Sequence, residues 1–345
     1  MSLAVITDPD WGWLSIRLRW KRHLPAYVND LTWFDLEHFG GWEKRVPYVR
    51  RFKWLRSALE GRRAARRAYA RGHRTMLVAT LQYAPLFPLM KDVRYFIYGD
   101  ATPRQYDNLY CEEYDDRLRK RSMRARYRRL AQAGHHMLCM SPWYRDGLIE
   151  HYGVRKEQTT ILRPPIDVEA WQPNPRKDQA KLNLLFIGGD FHRKSGDMLL
   201  ELSNDPRFAA CRWHFVTGHQ GRNTGRCTFY NRLQADTPEL RKVVESCDLF
   251  VMPTKADCSP LAAIEAGAAG LPAIITDVGG ISDIVETGVN GVLIPRPHRC
   301  EVEEALLEYL TDPQKLEREG VNARKRVEER NSIPVHMAIL KELLS

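Results

Sequence analysis

From about Leu182 onward the chain alternates short apolar runs with stretches of helical character, and this alternation restricts the possible folds more than any other feature. The runs fall at 182–187, which leads into Gly188-Gly189, and at 213–216, 249–252, 273–276 and 292–294; candidate helices lie between them at 197–202, 239–246 and 260–269. Each run is short for a buried helix and reads as a strand covered on both faces. Five such strands joined by helical crossovers make a parallel, Rossmann-like domain. The first half repeats the pattern more roughly, with strands expected near 3–7, 75–80, 95–98 and 136–140. At 345 residues and about 150 per domain, two α/β domains are the expectation.

Closely spaced prolines break helices and stiffen the backbone. They cluster in Arg163-Pro164-Pro165-Ile166-Asp167 and in Trp171-Gln172-Pro173-Asn174-Pro175, which places the linker there. The domains are set accordingly at 1–165 and 166–329. The tail from 301 to 344 reads as helical, broken at Asp312-Pro313 and Ser332-Ile333-Pro334, and its last helix, about 330–345, is expected to pack back on the first domain.

With 43% hydrophobic and 28% charged residues the chain is not of the disordered class. Its longest mostly apolar stretch, 75–90, carries Pro85 and Pro88 and falls short of the roughly 20 residues of a spanning helix, so none is expected. The start Leu3-Ala4-Val5-Ile6-Thr7 has no basic lead and no small-residue cleavage site, so a secretory signal is not expected and the chain is placed in the cytoplasm. Seven scattered cysteines without a C-x-x-C pair argue against a disulfide framework and against a zinc site. The net charge of +10 is local: Lys44 to Arg74 holds twelve Lys or Arg against Glu60 alone, and Arg117 to Arg129 holds eight against no acid. Such a face attracts nucleic acid, acidic lipid or phosphorylated metabolites.

The stretch from Met252 to Pro272 carries the chemistry: a strand, a polar loop and a short helix. Ser259 is a good N-cap, Pro260 a good first helical residue, and Gly270 followed by Pro272 a stop, so the helix is predicted over 260–269. Its amino end offers the N–H groups near Leu261 and Ala262 to an anion, an interaction worth about 0.3 to 2 kcal/mol. Glu265 shares a face with Leu261 and Ala262, and its side chain leans back toward the loop that holds Asp257. Two carboxylates beside an anion site suit a ligand with phosphate in its middle and hydroxyls at both ends. On spacing alone they read equally well as a loop acid and a partly exposed helix residue.

The segment D-C-S-P-L-A-A-I-E-A-G-A-A-G-L-P, followed by T-D-V-G-G-I-S-D-I-V and G-V-N-G-V-L-I, closely resembles the E-x7-E region of the retaining glycosyltransferase family 4. L-L-F-I-G-G-D-F-H-R-K-S-G-D, R-P-P-I-D-V-E-A-W and C-M-S-P-W-Y-R-D-G-L-I-E-H-Y-G-V extend the likeness over about Leu138 to Ile294. The resemblance implies the GT-B fold, an α/β architecture of two Rossmann-like domains facing each other across a cleft. It implies donor contacts from Gly188, Ser259, Pro260, Leu261, Ala262 and Glu265, the last on the nucleotide ribose, with Asp257 on the donor sugar and Lys194 and Arg193 on the diphosphate. Three departures stand out: Asp257 occupies a position that is Glu in the family, Gly189 stands where many relatives carry an Arg, and Tyr98-Gly99-Asp100-Ala101-Thr102 replaces the strand end that usually holds a His.

Other signals are weaker. Asp8-Pro9-Asp10 is formally a manganese-binding D-x-D, but Pro9 after a first strand more often makes a turn, and no metal is expected. Gly12 and Trp13, after the first strand, and Asp100 are acceptor-side candidates, Gly12 and Trp13 reading equally well as a packing turn. Val49, Phe52, Leu55 and Leu59 recur at helical spacing among arginines and lysines, which suits an anionic membrane surface, a merely solvated helix or, least, nucleic acid. The whole therefore reads as a retaining glycosyltransferase that moves a sugar from a nucleotide-diphosphate sugar to a saccharide or lipid-linked acceptor without metal or cofactor, in the cytoplasm or on the inner membrane face. A nucleotide-sugar epimerase and a non-catalytic basic binding protein on the same fold are the alternatives.

Overall fold

The apolar runs become two separate sheets in the computed structural model, which describes residues 2–7, 11–36, 53–79, 90–110, 117–173 and 181–345. The chain divides into Met1–Pro164 with His336–Ser345, and Pro165–Val335. In the first unit β1 (Ser2–Thr7), β2 (Asp30–Asp35), β3 (Thr75–Ala79), β4 (Arg94–Gly99), β5 (His136–Cys139) and β6 (Thr159–Ile161) lie in the order β2-β1-β3-β4-β5-β6, every pair parallel. The second unit places β7 (Leu182–Ile187), β8 (Cys211–Val216), β9 (Cys227–Tyr230), β10 (Leu249–Met252), β11 (Ala273–Thr276) and β12 (Gly291–Ile294) in the order β12-β11-β10-β7-β8-β9, again all parallel. The expected α/β class and paired Rossmann-like sheets are thus present.

The second sheet has six strands among the described residues, not five, and β2 and β6 were likewise not anticipated. All three of these strands are sheet edges. An edge strand is covered on fewer sides and needs no continuous apolar run: β2 buries only Phe34 fully, and β9 alternates buried and half-buried residues. The central strands β3, β10 and β11 are buried at every position, which is what made them legible.

In the first unit, Ala64, Ala65 and Ala68 of the Lys53–Ala70 helix and Tyr127 of the Arg117–Gln132 helix pack on one face of the sheet with Ala4, Ile6, Met76, Val78 and Met137. Leu59 of the basic helix is exposed, and the inward face is made of the small residues Ala64, Ala65 and Ala68, which let the helix sit close to the sheet. Val49 and Phe52 fall outside the described residues, and Leu55 is described only as helical backbone. The final helix, Ile333–Leu344, buries Met337 and Leu340 and belongs from His336 onward to the first unit. No described helix is long and apolar enough to cross a membrane.

Candidate active site

Strand order in the second sheet reverses between β7 and β10, which pair directly. Loops leaving the carboxyl ends of two such strands diverge to opposite faces and leave room for a ligand between them. Both loops named in the sequence start here: 188–195 follows β7, and 253–260 follows β10.

After β7 the chain folds back so that the Lys194 stem crosses Gly188. A Cβ on Gly188 would lie 2.8 Å from Lys194 Cδ and 2.8 Å from Phe186 Cζ, so glycine is what lets the lysine reach across. Arg193 is fixed from several sides: its backbone N–H donates to Asp190 Oδ1 (3.1 Å), its Nε to Asp190 Oδ2 (3.3 Å) and its Nη1 to the Ala256 carbonyl. Its own carbonyl accepts from Lys255 N–H (2.9 Å), which stitches the two loops together. Ser195 adopts the left-handed conformation (φ +57°), and its buried hydroxyl has no hydrogen-bond partner among the described residues. At the loop's end Asp197 is held below the usual carboxylate range. Partial burial pushes it up, but His192, the Met198 N–H and Lys255 outweigh that.

The second loop is braced from below. Thr254 is fully buried and donates its hydroxyl to the Ala256 carbonyl (3.0 Å). Gly279 (φ +61°) approaches so closely that a Cβ would stand 2.2 Å from the Asp257 carbonyl oxygen, and Gly280 N–H donates to the Cys258 carbonyl (2.8 Å). So held, Asp257 places Oδ2 3.2 Å from Lys194 Nζ and 3.7 Å from Arg193 Nη1.

The helix after this loop spans Leu261–Ala268 and not 260–269. Pro260, with an extended ψ of 110°, takes the N-cap place, so Ser259 does not cap, and the helix start has no side-chain cap hydrogen bond among the described residues. The first backbone bond runs from Ala263 N–H to the Pro260 carbonyl (3.1 Å), leaving the N–H groups of Leu261 and Ala262 ahead of the helical ladder. Glu265 is only 4% exposed, so the reading as a partly exposed helix residue does not hold. The other end of the helix is held by Arg324, whose Nη1 donates to the carbonyls of Ala268, Val168 (3.1 Å) and Trp171 (2.7 Å).

The structure therefore gathers Lys194, Arg193 and Asp257 into one cluster, sets Gly188 beneath it, and starts the helix bearing Glu265 from the same loop as Asp257, Ser259 and Pro260. Gly12, Trp13 and Asp100 belong to the first unit. Gly12 and Trp13 lie in the first turn of the Trp11–His23 helix, not in a turn; Trp13 stands edge-on to Tyr98 (5.6 Å between centroids), and Asp100 follows β4. The Tyr98 hydroxyl is pushed far up by burial, with Asp100 adding to it. Asp8 and Asp10 lie outside the described residues, and among the described residues no three His, Cys, Asp or Glu are grouped to hold a metal ion. Asp190, Thr254 and Gly279 support the site and were not singled out from the sequence. Only Gly279, in a Val-Gly-Gly turn after a strand, carried a signal; nothing local marks Asp190 as the partner of Arg193.

Comparison with known proteins points the same way. Residues 221–326 match the family model described as glycosyl transferases group 1. A D-inositol 3-phosphate glycosyltransferase from Paenarthrobacter aurescens (strain TC1) is 24% identical over 216 residues, covering 56% of this chain and 53% of the relative. The chain spans about half the length of the curated relatives it matches. Sucrose-phosphate synthase from Thermosynechococcus elongatus superposes with a TM-score of 0.77 at 15% identity, covering 100% of this chain and 98% of that one. Anabaena HepE, solved in complex with UDP-glucose, gives 0.68 at 14% identity, with 100% and 99% covered. These neighbours establish the GT-B fold.

Proposed function

We propose that this chain, whose second unit carries the group 1 glycosyltransferase match and whose fold is GT-B, moves a sugar from a nucleotide-diphosphate sugar to a hydroxyl acceptor with retention at the anomeric carbon. The observation that carries the proposal is the meeting of Lys194, Arg193 and Asp257 at the strand-order reversal, beside the amino end of the Leu261–Ala268 helix. The diphosphate takes Lys194, Arg193 and the N–H groups of Leu261 and Ala262, and its growing negative charge on departure is met by cations already in place. Glu265 accepts from the ribose hydroxyls and Asp257 from the sugar. That charge complement asks for no metal, and the acceptor is a saccharide or a lipid-linked saccharide, with Gly12, Trp13 and Asp100 of the first unit as the acceptor-side residues. HepE solved with UDP-glucose makes UDP the first base to try.

The exposed arginines of the first unit extend the proposal to an anionic membrane surface. Arg63, Arg66 and Arg67 on one helix and Arg121, Arg124, Arg128 and Arg129 on another stand outward on helices that cover the same sheet face. Each such cation adds about 1 kcal/mol near an anionic bilayer. The test of the central proposal is thermal stabilisation by UDP, GDP and ADP, followed by donor turnover in EDTA. A nucleotide at 100 times its dissociation constant adds about 2.7 kcal/mol. Absence of stabilisation by any of the three would sink the reading, and recovery of an isomerised nucleotide sugar would turn it toward an epimerase.

A further inference from the structure

Lys194 and Arg193 are not held open for a ligand in this structure. The Lys194 ammonium lies 3.2 Å from Asp257 Oδ2, and this carboxylate is its ion-pair partner among the described residues. The side chains are only 13% and 15% exposed, so the pair sits where charges attract more strongly than at an open surface. Arg193 is different: Asp190 and the Ala256 carbonyl hold it in place, and Asp257 is a third, longer contact at 3.7 Å. The Asp257 backbone cannot retreat, because Gly279 packs against its carbonyl from behind. The groups left to part are therefore the Lys194 ammonium and the Asp257 carboxylate.

We propose that Asp257 is an exchangeable partner of the cation pair: the donor diphosphate displaces its carboxylate from Lys194, and the freed carboxylate then accepts a hydroxyl of the sugar. This rests on the donor reading above and adds a consequence to it. A nucleotide sugar breaks the Lys194–Asp257 pair but supplies Asp257 with a new donor. A nucleoside diphosphate breaks the same pair and supplies nothing. Asp257 thus weakens the product relative to the substrate and hastens product release, acting as a positioning residue through Lys194 as well as on the sugar.

Asp257→Asn keeps the size and removes the competing charge. Calorimetry with inorganic pyrophosphate, UDP and an unreactive UDP-sugar analogue should show pyrophosphate and UDP binding about tenfold tighter in the variant, the scale of one ion pair of moderate strength. The UDP-sugar should gain less than UDP, so that the preference for substrate over product shrinks. In a Lys194→Gln background the same substitution should tighten pyrophosphate and UDP much less, since only the longer 3.7 Å contact to Arg193 remains to compete. Unchanged pyrophosphate and UDP affinity with a weakened UDP-sugar would overturn the exchange and leave only a sugar contact. Loss of affinity for all three probes together with a lower Tm would overturn it in favour of a structural carboxylate. Tighter pyrophosphate with no UDP binding by either protein would uphold the exchange and refute the glycosyltransferase reading instead. Asp257→Ser serves the same comparison should the Asn variant not fold.

Discussion

His336 offers a test whose magnitude follows from the geometry around one ring. It is 1% exposed, its Nε2 accepts the Trp20 indole N–H (2.8 Å), and its Nδ1 faces the Arg163 carbonyl (2.7 Å). An indole only donates and a carbonyl only accepts, so the ring must be the neutral Nδ1–H tautomer. Burial lowers its pKa from 6.5 to about 4, with the Arg163 carbonyl pulling the other way. The folded pKa lies below the unfolded one, so the unfolded chain takes up the proton first. Stability is complete above pH 6.5 and is lost as pH falls toward 4. Between pH 7.5 and 5.5 this single group should remove about 1.3 kcal/mol. His336→Gln cannot titrate, and at pH 7.5 should itself cost about 1 to 3 kcal/mol through imperfectly met Trp20 and Arg163 groups. Urea unfolding read by pulsed hydrogen exchange on peptides containing Trp20 or His336 isolates the first unit. His135 and His136 are also lowered by burial, so the quantity compared is the pH dependence of wild type minus that of the variant. If the two dependences agree within about 0.3 kcal/mol, the neutral-histidine argument is wrong.

Three further outcomes bear on the site and its surroundings. Lys194→Ala should lower kcat by about 10² to 10³, because its charge is needed most as the diphosphate leaves, whereas Glu265→Gln should cost about 1 to 3 kcal/mol seen mainly in donor KM; steady-state kinetics on folded variants separates them, and near-normal values in both would dismiss the assignment. Gly279→Ala brings a Cβ to 2.2 Å from the Asp257 carbonyl at φ +61°, so it should destabilise the second unit by about 1 to 3 kcal/mol and raise donor KM by moving Asp257; an unaltered melting curve and KM would contradict the bracing role. Flotation with anionic and neutral vesicles at two salt concentrations should recover the protein with the anionic ones only, and less at high salt; equal recovery with both removes the membrane partner.

Local chemistry determined what could be read without coordinates. Runs such as 249–252 and 273–276 are apolar but for the closing Thr276 because strands in the middle of a parallel sheet are covered on both faces, and their bounds are those the structure shows. The same stretch of chain carries Asp257, the helix start and Glu265, so a strand, a loop and a carboxylate-bearing helix could be placed from 21 consecutive residues. Edge strands escaped because half-covered backbone needs no apolar signature. The helix start shifted by one residue because Ser259 and Pro260 are both acceptable caps, and the choice depends on the ψ of Pro260 in its packed setting. Only tertiary structure decided that Lys194 and Asp257, 63 positions apart, share an ion pair, that Arg193 leans on Ala256, and that His336 returns to Trp20 across 316 positions. Periodicity and caps are written in neighbouring residues, but which loop ends meet is set by the order in which strands pair, and that order is a property of the folded sheet.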